Sequence, residues 1–156
     1  MIRPATTEDV AVLHALIGEL ARYEGLEHEV TSTQEQLREH LFGARPYAEA
    51  LMAEDDASVV GFALFFHNYS TFGGRPGLYL EDLFVRPESR RKGHGRALFL
   101  AVARIAAKRG CGRFEWSVLH WNEPALAFYR SMGAVPMHDW RICRMTGDAL
   151  ARLAGE

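Results

Sequence analysis

The stretch Leu78–Gly110 joins two different hydrophobic periods through a short basic loop. Alternation in "LYLEDLFV" predicts a β-strand, whereas the apolar spacing after Gly93 predicts a helix that runs to about Arg109. The first turn of this helix contains Gly93 and Gly95, although glycine is a poor helix former. A strand followed by a helix indicates a chain that contains both kinds of element, and the two glycines require a reason.

An anion site would supply that reason. The N-terminus of a helix exposes unpaired N–H groups and the positive end of the macrodipole, and glycine lets an anion approach them. Arg90, Arg91 and Lys92 add positive charge at the same place. We therefore expect a diphosphate to bind here, and a solvated basic turn is the alternative. A P-loop is excluded because GK[ST] is absent, and a dinucleotide fingerprint because Leu98 stands where Gly or Ala is needed.

The remaining patterns alternate between helix and strand. A capping-box spacing at Thr6 and Asp9 opens a helix to about Tyr23, and another opens the helix in "TSTQEQLREHLFG". "EALMAE" and "VVGFALFFHNY" predict a hairpin around "DDAS", followed by a loop in "STFGGRPG". After "RFEWSVL", a strand, Asn122 caps a helix that ends at Gly133, and "WRICRM" predicts a final strand. The order predicts a mixed sheet with helices.

Composition narrows the class of protein. At 156 residues with a net charge of -2, we expect one domain over residues 1–156 and no nucleic-acid partner. No apolar run approaches the ~20 residues that span a bilayer, and "MIRPATTEDV" lacks the layout of a signal peptide, so we expect a cytoplasmic protein without a membrane partner. Two distant cysteines and seven histidines without ligand spacing predict no metal site.

Two adjacent carboxylates interrupt the apolar strand "LYLEDLFV". Regular alternation predicts that Glu81 and Asp82 point to opposite faces and cannot converge on one ligand. The two expected faces are Leu78, Leu80, Asp82 and Phe84, and Tyr79, Glu81, Leu83 and Val85. Since a buried carboxylate is costly without a partner, these groups either bind a cation or pair with Arg141 or Arg144.

The spacing Arg90-x-x-Gly93-x-Gly95 resembles the acetyl-CoA diphosphate loop of the GNAT superfamily of N-acetyltransferases. Together with "IRPAT", "ELARYE", "LYLEDLFV" and "WNEPALAFYRSMGA", it resembles the diamine (spermidine/spermine) N-acetyltransferase branch over nearly the whole chain. The resemblance implies an α/β (α+β) acyltransferase fold with a mixed, mostly antiparallel central sheet flanked by helices. It also implies direct acetyl transfer from acetyl-CoA to a small di- or polyamine, and a homodimer with "WRICRM" at its interface.

The resemblance also implies roles for individual residues. Tyr129 would act as general acid towards the CoA thiolate, although periodicity alone allows either Phe128 or Tyr129 to face inward. Glu81 would bind the amine and accept its proton, through water. The expected coenzyme-binding residues are Leu83, Phe84, Val85, Arg90, Arg91, Lys92, Gly93, His94, Gly95, Arg96, Asn122 and Tyr129. The expected substrate-binding residues are Tyr23, Glu24, Glu81 and Asp82.

One departure from the branch leaves the substrate open. The segment "VPMHDW" is shorter than the usual loop, and His138 and Asp139 stand where acidic residues are expected. A lysine analogue, an amino acid, an antibiotic amine or a peptide amine are alternative substrates. Outside catalysis, a silent sensor of acyl-CoA or polyamine is the second hypothesis, and a nucleic-acid binder with a basic helix is the third.

Overall fold

The computed structural model describes residues 1–155, which form one compact unit over Met1–Ser117 and a second that begins at Val118. The first unit contains β1 (Ile2–Pro4), α1 (Val10–Glu24), α2 (Gln34–Phe42), β2 (Glu49–Asp55), β3 (Ser58–Ser70), β4 (Arg75–Val85), α3 (His94–Lys108) and β5 (Arg113–Trp116). The second contains α4 (Glu123–Ser131) and α5 (Gly147–Ala154). The expectation of a single domain over residues 1–156 stays a prediction.

The five strands form one sheet in the order in which they occur in the chain. β1 to β4 pair in antiparallel fashion, and β5 pairs with β4 in parallel. Because a parallel neighbour needs a crossover connection, α3 lies between β4 and β5 in the chain. The predicted mixed, mostly antiparallel sheet with flanking helices is confirmed.

A two-residue turn closes the predicted hairpin between β2 and β3. Asp55 pairs with Ser58, and the two residues between them, Asp56 and Ala57, have φ angles of +46° and +62°. Two left-handed residues match the twist of an antiparallel pair. Asp tolerates this conformation, whereas Ala adopts it at a cost.

The helices α1 and α2 cover one face of the sheet. The apolar positions of α1 follow the helical period, and their side chains are buried against strand residues of that face. This cluster consists of Leu13, Leu16, Leu20, Leu41, Ala50, Met52, Phe62 and Phe84. Each large side chain buried in this way contributes about 1.5–3 kcal/mol, so the cluster fixes α1 on the sheet.

The helix α3 covers the opposite face. Its Phe99 ring lies 5.1 Å from the ring of Phe114 and 5.1 Å from that of Trp116, both in β5. At the start of α3, a Cβ built on Gly95 would lie 3.8 Å from Cγ2 of Val85. α3 therefore begins beside the last residue of β4.

Four predicted helices are confirmed, and one predicted strand is wrong. α1 to α4 occupy the expected positions, with both Thr33 and Asn122 serving as N-terminal caps. "WRICRM" has no regular secondary structure, because in the described chain no other segment pairs with it and its residues are exposed. α5 follows it and was not predicted. β4 begins at Arg75, so "RPG" belongs to a strand and not to a loop.

Candidate active site

An acidic cavity lies in the first unit between α1, the segment after it and β4. Its volume is about 360 Å³, within the usual range for small-molecule sites. Four carboxylates line it, from Glu24, Glu29, Glu81 and Asp82. The other lining residues are apolar or uncharged, namely Ile17, Leu20, Ala21, Leu26, Val30, Thr31 and Ser32. A cavity with apolar walls and several negative charges suits an alkyl chain that carries positive charge.

A β-bulge in β4 brings Glu81 and Asp82 into this cavity together. Leu80 pairs with Phe65 and Asp82 pairs with Leu64, so Glu81 is an extra residue opposite the β3 strand. In a bulge the extra residue breaks the alternation of the strand and redirects side chains. The prediction that these two carboxylates point apart is therefore wrong.

The bulge also corrects the predicted faces of β4. Paired residues of antiparallel strands share a face, so Leu78 and Leu80 lie on the face of Phe65, while Asp82 and Phe84 lie on the face of Leu64 and Phe62. The α1 side of β4 thus carries Tyr79, Asp82 and Phe84, together with Glu81, and the α3 side carries Leu78, Leu80, Leu83 and Val85. Asp82 faces the helix that bears Glu24.

The turn at the C-terminal end of α1 fixes the position of Glu24. Gly25 follows with φ +72°, and its N–H donates to the carbonyl of Arg22 while that of Leu26 donates to Ala21. This pair of bonds is a Schellman motif, which turns the chain sharply at a left-handed glycine. Nε2 of His14 then donates to the carbonyl of Ser32 at 2.8 Å and holds the returning segment against α1.

That returning segment was missed from the sequence. Glu29, Val30, Thr31 and Ser32 line the cavity, although none was expected in the site. The acidic run "EHE", separated from the expected substrate residue Glu24 by two residues, is the signal that could have included Glu29. Glu29 lines the cavity because the chain turns at Gly25, and a run of charged residues in the sequence does not show this turn.

Burial and two carboxylates of the cavity together shift the pKa of a third. Burial, followed by the charges of Glu81 and Glu24, raises the pKa of Asp82 from 3.8 to about 7. Burial alone raises the pKa of Glu24. The charges that raise the pKa of Asp82 are therefore those of carboxylates, and its expected alternative pairing with Arg141 or Arg144 stays a prediction. A bound cation would relieve this repulsion.

The basic loop has the backbone of an anion site. Gly93 caps α3 with φ +87°, and a Cβ built there would meet no atom within 4 Å. The first turn of α3 contains no acidic residue, so no side chain of that turn offsets the positive end of the helix. Arg91 also adopts a left-handed conformation, with φ +63°. These features fit the diphosphate of acetyl-CoA, with Gly93, His94 and Gly95 as the residues that would hold it.

The cations of this loop differ in their surroundings. Nζ of Lys92 donates to Oδ2 of Asp55 at 2.8 Å, and Nε2 of His94 lies 3.5 Å from the same oxygen. Hydrogen bonding to Asp55 raises the pKa of Lys92. Arg91 and Arg96 are exposed. The hairpin tip at Asp55 therefore holds the loop, while two arginines face solvent.

The end of β4 extends past its parallel neighbour. β5 pairs with β4 only as far as Leu80 and Trp116, whereas β4 continues to Val85. Leu83, Phe84 and Val85 remain paired with β3. Beyond Leu80, β4 therefore lacks a partner on its β5 side in the described sheet, and the expected binding of the coenzyme by Leu83, Phe84 and Val85 stays a prediction.

The last two residues that were expected to bind the coenzyme, Asn122 and Tyr129, lie in the second unit. The side chain of Asn122 accepts a hydrogen bond from the N–H of Ala125 at 3.3 Å and caps α4. Tyr129 lies in α4, with its ring 5.2 Å from that of Phe128. His138 and Asp139 are exposed and outside regular secondary structure. The roles of Asn122 and Tyr129 in coenzyme binding and catalysis stay predictions.

Two classes of site are absent from the described residues. Within residues 1–155, no group of three or more His, Cys, Asp or Glu side chains is arranged to hold a metal ion. Of the helices described above, none has the length and apolar character that a membrane span requires.

Comparison with known proteins agrees with this geometry. Residues 13–134 match the family model described as the acetyltransferase (GNAT) family. The chain is 37% identical to an L-ornithine N5-acetyltransferase of Arabidopsis thaliana, over 96% of this chain and 85% of that one. It is also 37% identical to a thialysine N-epsilon-acetyltransferase of Bos taurus, over 100% and 98%. An integron cassette protein from the V. cholerae mobile metagenome has a similar structure, with a TM-score of 0.83 and 26% identity over 100% and 98% of the two chains.

Proposed function

The chain belongs to the GNAT family of acetyltransferases, enzymes that transfer an acetyl group from acetyl-CoA to an amine, and we propose that its acceptor is a small aliphatic di- or polyamine. The acidic cavity is the observation that carries this proposal. It presents four carboxylates, and no lysine or arginine is among the side chains that line it in the described structure. One ammonium group of the acceptor would pair with carboxylates of the cavity. The other would lose its proton and react.

The repulsion among the carboxylates supports the need for a cation. Asp82 holds its proton near neutral pH because of burial and of the charges of Glu81 and Glu24. A diammonium ligand supplies the missing positive charge, and the apolar wall formed by Ile17 and Leu20 contacts the methylene chain.

The chemical step requires removal of a proton from the amine. An alkylammonium has a pKa near 10.4, so it is almost fully protonated at neutral pH. In our proposal Glu81 accepts this proton through a water molecule, and Asp82, with its pKa of about 7, is a second group able to exchange a proton in this range. The free amine then attacks the thioester carbonyl in a ternary complex.

The leaving group needs a proton in return. In our proposal the phenol of Tyr129 donates it to the departing CoA thiolate, which balances the proton lost by the amine. The N–H groups at Gly93–Gly95 bind the diphosphate, and acetyl-CoA when bound supplies the activated acyl group. This assignment of Tyr129 rests on the family resemblance.

An amino acid with a side-chain amine is the second candidate acceptor. Two relatives, an L-ornithine N5-acetyltransferase and a thialysine N-epsilon-acetyltransferase, favour it. Such a substrate carries an α-carboxylate in addition to its ammonium groups. We propose the diamine because the cavity already holds four carboxylates and would repel a fifth.

A matched substrate pair separates the two candidates. Putrescine and ornithine differ by the α-carboxylate, as do cadaverine and lysine, so release of CoA thiol should be measured with both pairs. Spermidine, spermine, thialysine and a peptide complete the panel. We expect kcat/KM to be at least about tenfold higher for each diamine than for its amino acid, from roughly one unfavourable charge contact. A preference for ornithine, lysine or thialysine would overturn the diamine proposal, and activity on the peptide alone would overturn both candidates.

We also propose that the chain forms a homodimer in the cytoplasm. Seven large apolar side chains between residues 135 and 153 are exposed to solvent, and exposed apolar side chains are a feature of interaction surfaces. They are Val135, Met137, Trp140, Ile142, Met145, Leu150 and Leu153. Light scattering that shows a monomer at micromolar concentration would contradict this proposal.

A further inference from the structure

The side chain of Arg90 turns away from the basic loop towards the elements that form the acidic cavity. Its Nε donates a hydrogen bond to the main-chain carbonyl of Val85 at 2.9 Å. Its guanidinium carbon lies 4.7 Å from the centroid of the Tyr23 ring and 5.7 Å from that of the Phe84 ring. One side chain therefore contacts both the last turn of α1 and the end of β4.

Both contacts lie next to carboxylates of the cavity. Tyr23 precedes Glu24, the last residue of α1, and Phe84 lies on the same face of β4 as Asp82. The guanidinium is attracted to the electron-rich face of each ring, and its planar shape allows it to stack there while Nε bonds to the backbone. Arg90 thus connects the two elements that carry Glu24 and Asp82.

Both the main chain and the side chain of Arg90 form hydrogen bonds within the protein. The main-chain N–H of Arg90 donates to the carbonyl of Pro87 at 3.2 Å, and Nε donates to Val85. Both Arg90 and Arg91 are exposed, but Arg91 adopts a left-handed conformation with φ +63°, whereas Arg90 is extended with φ -71°. The two adjacent arginines therefore differ in backbone conformation, in spite of their equal charge.

We propose that Arg90 is a positioning residue for the amine substrate. It holds the last turn of α1 against β4 and so fixes Glu24 relative to Asp82. The end of a helix frays more readily than its middle, so a contact at Tyr23 adds to the restraint that the turn at Gly25 places on this end of α1. The inference rests on the proposed function for the identity of the ligand in the cavity.

Steady-state kinetics with matched arginine variants test this role. We expect Arg90→Met to raise the KM for putrescine about three- to tenfold, the size of a lost cation–π contact and hydrogen bond, with the KM for acetyl-CoA changed by less than about twofold. Arg90→Lys keeps the charge and should recover part of the loss. Arg91→Met should instead raise the KM for acetyl-CoA, and Arg45→Met, in an exposed loop, should change neither. The inference would be overturned if Arg90→Met raised only the KM for acetyl-CoA and left the KM for putrescine unchanged.

A measurement without substrate separates this inference from the proposed function. A double-mutant cycle of Arg90→Met and Tyr23→Leu, read by urea unfolding, should give non-additive losses, whereas Tyr23→Phe keeps the ring and should retain its coupling to Arg90. Additive losses would overturn the positioning role whatever the substrate. Coupled losses in a protein that acetylates no amine of the panel, but binds CoA in calorimetry, would overturn the proposed acceptor and leave the contact established.

Discussion

Asp82 and Glu24 line one acidic cavity from different elements, and burial together with the charges of Glu81 and Glu24 raises the pKa of Asp82 to about 7. α1 supplies Glu24 through its terminal turn, and β4 supplies Asp82 through a bulge. This arrangement keeps several negative charges close together in the absence of a cation. Its consequences can be measured in the free protein as well as during turnover.

The first prediction concerns the stability of the free protein. The folded state holds the proton of Asp82 up to a pH of about 7, whereas the unfolded chain releases it near 3.8. The folded protein binds more protons in this window, so the free energy of unfolding falls as the pH rises from about 4 to 7. We expect Asp82→Asn to be more stable than wild type at pH 8, by on the order of 2 kcal/mol, and this difference to vanish near pH 4.

Urea unfolding at several pH values measures this difference. Asp139→Asn, which changes an exposed carboxylate outside regular structure, serves as the matched control and should follow wild type. Groups such as Asp9, whose pKa Arg3 lowers from 3.8 to about 2, contribute a slope of opposite sign below about pH 4, equally in every variant, and cancel in the comparison. A difference that is independent of pH would show that Asp82 titrates normally.

The second prediction concerns the charge of Glu24. Glu24→Gln removes one carboxylate from the cavity and one of the charges that raise the pKa of Asp82. We expect the KM for putrescine to rise about three- to tenfold, the effect of roughly one charge contact, with the KM for acetyl-CoA unchanged. The pH at which kcat/KM for the amine begins to rise should also move to lower values. Equal effects on a neutral-tailed monoamine and on putrescine would contradict the charge role.

The third prediction compares the two glycines of the basic loop. Gly93 has φ +87°, which costs a residue with a Cβ about 1–2 kcal/mol, whereas a Cβ on Gly95 makes only an ordinary contact with Val85. Gly93→Ala should therefore lower the melting temperature by several degrees, and Gly95→Ala should not. Both should weaken CoA binding in calorimetry, because each methyl group obstructs approach to the N–H groups. Loss of stability without loss of CoA affinity would place the diphosphate elsewhere.

Local patterns in the sequence were sufficient for most of the fold. The capping box at Thr33, the glycine after α1 and the "DDAS" turn each act within a few residues, and the elements that they delimit are confirmed. The faces of β4 were predicted wrongly because a bulge depends on the register between two strands. That register is set by packing on both faces of the sheet and leaves no local mark beside Glu81.

The C-terminal segment was also predicted wrongly because secondary structure there depends on a distant partner. "WRICRM" has the composition of a strand, but a strand requires a neighbour for its backbone hydrogen bonds, and none pairs with it in the described chain. The helix α5 could have been expected from Leu150 and Leu153, spaced by three residues, with a left-handed Gly155 after the last turn. In the site, the carboxylates Glu24, Glu81 and Asp82 were identified, while Glu29 depended on the path of the chain after Gly25.

The fourth prediction tests the general acid. Tyr129→Phe removes the hydroxyl group and keeps the ring that contacts Phe128. We expect kcat to fall at least about tenfold, since general acid catalysis contributes 10²–10⁴-fold, while both KM values and the melting temperature stay close to wild type. The pH–rate profile should lose its alkaline limb. Unchanged turnover would assign the protonation of the thiolate to another group or to water.

The bulge at Glu81 suggests how such a site could arise in evolution. If Glu81 were deleted, Leu80 would still lie opposite Phe65 and Asp82 opposite Leu64, so the strand would become regular and every other side chain would keep its direction. An in-frame insertion of one codon could therefore have added a carboxylate to an ancestral pocket without rearranging the interior. Deletion of that codon would return the cavity to a lower charge in a protein that still folds.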